Sequence, residues 1–157
     1  MSWNQVYYSH LEEGQLPLPL GFRGEVETDM KRMLQTPLSM TKEFAIVMGQ
    51  KVNQGHNQNN HTTDSDMRIE LIQEEFFEII KAYRYEDNVA LLKELADLVY
   101  VTYGFAAYVG WDLDEAVRRV HESNMSKLGD DGKPIYREDG KVLKGPNYHK
   151  PNLKDLV

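Results

Sequence analysis

"EEFFEIIKAYRYEDNVALLKELADLVYV", residues 74–101, is the stretch whose reading decides the fold. Apolar residues recur through it at intervals of three and four, the period of an amphipathic helix rather than a strand. The pattern breaks between Arg84 and Asn88, which predicts two consecutive helices. Carboxylates lie inside the apolar stripe of both. On a wheel of roughly 100° per residue, Glu75 is flanked by Ile72, Phe76 and Ile79 on one side and Leu71 and Ala82 on the other, with Glu78 at the rim of the arc. On the next helix Glu94 falls among Ala90, Leu91, Leu98 and Val101, and Asp97 lies one turn on. An ionised carboxylate in an apolar stripe costs several kcal/mol unless it is paired or bound to a metal. Two such pairs on consecutive helices call for one explanation, a divalent cation held between them by Glu75, Glu78, Glu94 and Asp97.

Outward from this stretch the chain reads as helices. A first core helix is expected over 41–52, a second from the cap candidates Ser65 and Asp66 to 84, and a third over 88–109, stopped by Gly110. Asp112 followed by Glu115 has the spacing of a capping box, opening a fourth helix that runs to Leu128 with Gly129 as its cap. "NQGHNQNNHTTDSD" is polar and aperiodic and reads as a loop. Asp139-Gly140 between short alternating segments signals a β-hairpin in the tail. The fold class is therefore all-α, a helical bundle with a short C-terminal β-hairpin. One domain is expected over 1–157: an N-terminal extension at 1–38 with one helix near 25–34, a helical core at 39–129, and a hairpin tail at 130–157.

A chain of 157 residues suffices for one domain with a core of its own. The formal charge of −7 argues against nucleic acid or an anionic membrane as the main partner. The chain has no cysteine, which excludes disulfides and thiolate chemistry. The N-terminus lacks an apolar signal segment and no apolar run is long enough to span a bilayer, so a soluble, cytoplasmic protein is expected.

Four oxygen donors without cysteine, and without histidine at ligand spacing, favour Mg²⁺ over Zn²⁺, with Mn²⁺ as the alternative ion. A di-iron bundle would require Glu-x-x-His motifs, and His121 has Arg118 three residues before it instead. A partly hydrated Mg²⁺ suits phosphate substrates. Asn124 and Lys127 share one face at the end of the fourth helix, where a cation complements the helix dipole and, beside a metal, an amide and an ammonium can also bind phosphate.

"EEFFE" at 74–78, "ELAD" at 94–97 and "SNMSKL" at 123–128 resemble the all-α nucleoside triphosphate pyrophosphohydrolases, the MazG-like proteins and their phosphoribosyl-ATP pyrophosphohydrolase-like relatives. The resemblance runs from about 41 to 153 and implies that Glu75, Glu78, Glu94 and Asp97 bind Mg²⁺ and that Asn124 and Lys127 contact substrate phosphates. It further implies hydrolysis of a nucleoside triphosphate to the monophosphate and pyrophosphate, with Glu75 or Glu78 acting on the attacking water and Lys127 stabilising phosphate charge. Arg137, Lys141 and Lys144 are placed to close over the phosphates, and Phe44, Gln50 or loop asparagines to contact the base. A dUTPase, a phosphoribosyl-ATP pyrophosphohydrolase and a non-catalytic nucleotide-binding module are the alternatives. The wide apolar arcs of the second and third helices predict a homodimer or homotetramer.

Overall fold

A computed structural model describes residues 35–56 and 62–157. Helix α1 (Pro37–Val47) opens with a reciprocal capping box between Thr36 and Ser39 and with proline in its first turn, where its missing N–H is harmless. It therefore starts and ends earlier than the 41–52 expected from the sequence. Its carbonyls are closed off by Met48, and Gly49 takes the left-handed φ of 68° that turns the chain away.

Helix α2 (Thr63–Tyr85) is capped by Thr62 in a box with Ser65. The expected cap candidate Ser65 is thus the box's third helical residue. Helix α3 (Asn88–Val109) has the predicted limits, with the Asp87 carboxylate accepting from the N–H groups of Val89 and Ala90. It ends at Gly110 with φ of 90°. A side chain there would be strained by that φ and would crowd Asn53, whose Cα would lie 3.3 Å from an added Cβ.

Helix α4 (Leu113–Met125) begins with Asp112 accepting from the Glu115 N–H, as the spacing predicted. The reciprocal half of the capping box does not form, because Arg118 and Arg119 take the Glu115 carboxylate. It stops three residues short of Leu128. Ser126 still bonds to the Glu122 carbonyl, but the N–H groups of Lys127 and Leu128 turn to carbonyls three residues back in a tightening final turn. The expected hairpin contracts to one antiparallel bridge between Tyr136 and Val142, so no strand is formed among the described residues. The Asp139-Gly140 turn is real, with Gly140 at φ of 82°, yet Tyr136 and Val142 stay exposed and supply no packed face to extend a ladder. The helix expected near 25–34 lies outside the described residues.

Helix α3 is the centre of the arrangement. It pairs with α2 across the two-residue link Glu86–Asp87 and also packs on α1. Leu38, Tyr103, Ala106 and Ala107 form the core, with Leu113 against it. The C-terminal carbonyls of α3 do not lack donors. The extended segment after α1 crosses them, and Asn53, Gln54 and Gly55 donate to Ala107, Tyr108 and Val109 at 2.7–3.1 Å. The tail folds back onto α4: Arg119 reaches Asp155 and the Asn152 carbonyl, and the Ser123 hydroxyl donates to the His149 carbonyl. Among the described residues no helix is long and apolar enough to cross a membrane.

Candidate active site

The α2–α3 pairing brings carboxylates together from both helices. One oxygen each from Glu75, Glu94 and Asp97 lies within 4.8 Å of the other two. The two acids of α3 stand three residues apart, on one face, and Glu75 meets them from α2. Glu94 is the deepest, only 8% exposed, as its place within the stripe predicted. Burial, and then the negative charges of Asp97 and Glu94, push the Glu75 carboxyl above its ordinary value.

Lys93 is the group that sequence reasoning missed. Its ammonium sits 2.8 Å from Asp97 and 3.1–3.2 Å from both oxygens of Glu94. Hydrogen bonds to Asp97 first and Glu94 second raise its pKa above the usual lysine range. Its i,i+4 spacing from Asp97 was the available signal, but such pairs are frequent on solvated helices. With one ammonium against three acids, the cluster keeps a net negative charge.

Glu78, expected in the same group, is not among these converging oxygens. Lys81 holds its carboxylate at 3.0 Å, one turn along α2. Asn124 and Lys127 do come together, the ammonium donating to the Asn124 side-chain oxygen at 2.6 Å. Arg137 pairs with Asp139 within the tail turn, and Lys144 lies over the Tyr148 ring at 4.3 Å. Phe44 and Gln50 line one cavity together with Arg68, Tyr100 and Gly104.

Residues 41–124, more than half of the chain, match the phosphoribosyl-ATP pyrophosphohydrolase family. The chain belongs to that family. The match begins within α1, ends at Asn124 in the last turn of α4 and includes all three converging carboxylates, but not Lys127 or the tail. The chain is a member of the MazG-like all-α pyrophosphohydrolase group. Among solved structures it is similar to a candidate NTP pyrophosphohydrolase from Exiguobacterium sp. 255-15, at 23% identity and a TM-score of 0.38, over 90% of this chain and 81% of that one. No curated protein sequence is similar enough to match.

Members of a pyrophosphohydrolase family act on phosphoanhydride linkages, and the donor set can be tested against the divalent metal such chemistry uses. It is made only of hard carboxylate oxygens, close enough to share one ion. The Lys93 ammonium already pairs with Glu94 and Asp97 and compensates part of the charge there. The residues fit a divalent cation. Glu75, Glu94 and Asp97 would hold it.

Proposed function

We propose that this protein is a Mg²⁺-dependent nucleoside triphosphate pyrophosphohydrolase, converting a (d)NTP to the (d)NMP and pyrophosphate. The observation that carries the reading is the convergence of Glu75, Glu94 and Asp97 between α2 and α3. Mg²⁺, with Mn²⁺ as a substitute, supplies neutralisation of the phosphate oxygens when bound. Glu75 is the residue we assign to the attacking water, because it is the one acid that α2 sets against the Glu94–Asp97 pair of α3. Glu78 stands one turn away and joins as a further ligand or base once it leaves Lys81. Asn124 and Lys127 form an amide and ammonium pair suited to phosphate oxygens, with Lys127 stabilising charge as the anhydride breaks. Arg137 and Lys144 add positive charge from the tail.

Residues 39–129 would form the catalytic core of a single domain. Assembly as a homodimer or homotetramer follows from what α2 and α3 leave uncovered. Phe76 and Phe77 are 51% and 66% exposed, and with Ile72 and Leu98 they border one broad apolar hollow. Apolar patches of that kind mark interfaces more often than free surface.

The family match favours a second substrate, phosphoribosyl-ATP itself. Pyrophosphate release should be measured over a panel of canonical nucleoside triphosphates and phosphoribosyl-ATP, with Mg²⁺ and with EDTA, and the products separated by chromatography. Monophosphate and pyrophosphate, made only with the metal, are expected. Diphosphate and free phosphate would overturn the assigned bond cleavage.

A further inference from the structure

Two turns along the α2–α3 seam from the carboxylates lies a cavity of about 110 Å³, roofed by α1. Glu75 to Arg68 on α2 and Asp97 to Gly104 on α3 are each seven residues, a rise of roughly 10 Å, comparable to the reach of a nucleoside from its phosphates to its base. The cavity is small against the several hundred Å³ of a whole-ligand pocket, so it takes a flat ring, single or fused, and not a whole nucleotide. Its walls suit such a ring: Phe44 and Tyr100 meet edge to face at 5.9 Å, and Leu71, Val101 and Ala45 complete the apolar lining. Gly104 leaves the floor open, and an added Cβ there would touch the Arg68 guanidinium at 3.9 Å.

The polar end of the cavity is Arg68 with Gln50. Arginine carries five N–H donors and no acceptor. One terminal nitrogen of Arg68 faces the Gln50 side-chain oxygen at 3.5 Å, and the guanidinium lies over the Tyr108 ring at 4.7 Å. Its Nε–H is buried with no partner, the one such side-chain atom among the described residues. A buried donor without an acceptor is destabilising. The guanidinium it belongs to reaches the cavity beside Gly104, where a ligand can offer the terminal N–H groups an acceptor. Gln50, its oxygen turned to Arg68, has donors left to offer. The Thr41 hydroxyl, also in the lining, donates back to the Pro37 and Leu38 carbonyls of its own helix.

Resting on the reading that the substrate is a nucleotide, we propose that this cavity selects bases with an oxo group on the edge far from the sugar, read by Arg68 and Gln50. Uracil, thymine, guanine and hypoxanthine present that oxygen. Cytosine and adenine present an amine there, which would set donor against donor. Hydrogen bonds to a charged group are worth enough that the preference should be roughly ten- to hundred-fold.

The test is binding of metal-free nucleosides followed by protein NMR, beside Mg²⁺-dependent pyrophosphate release from the matching triphosphates. Deoxyuridine and deoxyinosine should shift the signals of Phe44, Tyr100 and Gly104, with deoxycytidine and deoxyadenosine binding roughly ten- to hundred-fold more weakly. Arg68→Met should erase the difference. Gln50→Glu should erase it too, because a carboxylate there ties up Arg68, and this exposed position decides the matter if Arg68→Met fails to fold. Equal binding of all four nucleosides, binding of none, or displacement of these signals by inorganic phosphate would overturn the proposal. Pyrophosphate release without base preference would sink the pocket assignment alone. Selective nucleoside binding without any release would sink the enzymatic reading alone.

Discussion

Two seams of this molecule are rich in charge, and they differ in how the charges balance. Where α4 meets the tail, three carboxylates share two arginines, and each of the three is held by a guanidinium. Glu115 is held by Arg118 and Arg119, Glu122 by Arg118, and Asp155 by both terminal nitrogens of Arg119. The seam between α2 and α3 sets three carboxylates against the single ammonium of Lys93. The matched seam is exposed and closes the tail onto a helix. The unmatched one holds the most buried acid among the described residues, Glu94, and spends stability to keep it there. Converging carboxylates with one ammonium among them leave charge for a cation to meet; carboxylates each held by a guanidinium make a clasp.

The largest effect should come from removing one member of the unmatched seam. Glu94→Gln keeps the shape and deletes a charge, and pyrophosphate release should fall by roughly 10²–10³-fold, the scale on which single electrostatic groups act. The metal-free melting temperature should not fall, because fewer like charges then crowd Glu75. A mutant that is both active and less stable would place Glu94 among the clasps.

The matched seam should answer through stability instead. Gly145 packs so closely under the end of α4 that an added Cβ would lie 2.1 Å from the Leu128 carbonyl oxygen. Gly145→Ala must push the tail away, at about 1–3 kcal/mol by the usual scale of overpacking. A thermal melt measures it, and an unchanged melt would show that the tail is not clasped.

Lys93→Met sharpens the contrast at its boundary. Without the ammonium, Glu94 and Asp97 lose their only cation among the described residues in the metal-free protein. Metal-free stability should fall with rising pH, because Glu75 already has a raised pKa. For an acid shifted that way, stability is present below its unfolded pKa and lost as pH rises through the folded one. Mn²⁺ should bind several-fold more tightly, as calorimetry would show. Weaker Mn²⁺ binding would mean that Lys93 supports the ligands rather than standing in the ion's place.

The smallest effect is an acid one. Hydrogen bonds from Arg118 and then Arg119 hold Glu115 down to about 2. A carboxylate lowered in the folded state contributes stability that is complete above its unfolded value, near ~4.3, and lost as pH falls towards the folded one. Acid melts of the wild type should therefore drop between those values, and Glu115→Gln should flatten the drop. An identical acid profile in the mutant would show that solvent has screened the clasp away.

Local rules made much of this legible. The limits of α3, its glycine stop, the Asp112 cap and the depth of Glu94 all follow from period and capping chemistry within a few residues. The α2 start was misread because Thr62 competes with Ser65 and Asp66 for the same cap. The tail turn was readable, but extension of a hairpin depends on a packed face that no local signal encodes. Glu78 carried the right spacing for the metal group, and Lys81, three residues on, holds it to one side. Arg68, Gln50 and Gly104 lie on different segments with no shared motif, and only the crossing of α1 over the α2–α3 pair brings them to one cavity.

The central claim is that Glu75, Glu94 and Asp97 together hold one divalent cation. Titration of Mn²⁺ into the metal-free protein, followed by electron paramagnetic resonance, counts bound ions directly and needs no substrate. One Mn²⁺ per chain, displaced by excess Mg²⁺ and lost in Glu94→Gln, is the result expected. No bound Mn²⁺ in the wild type, or equal binding in Glu94→Gln, would contradict it.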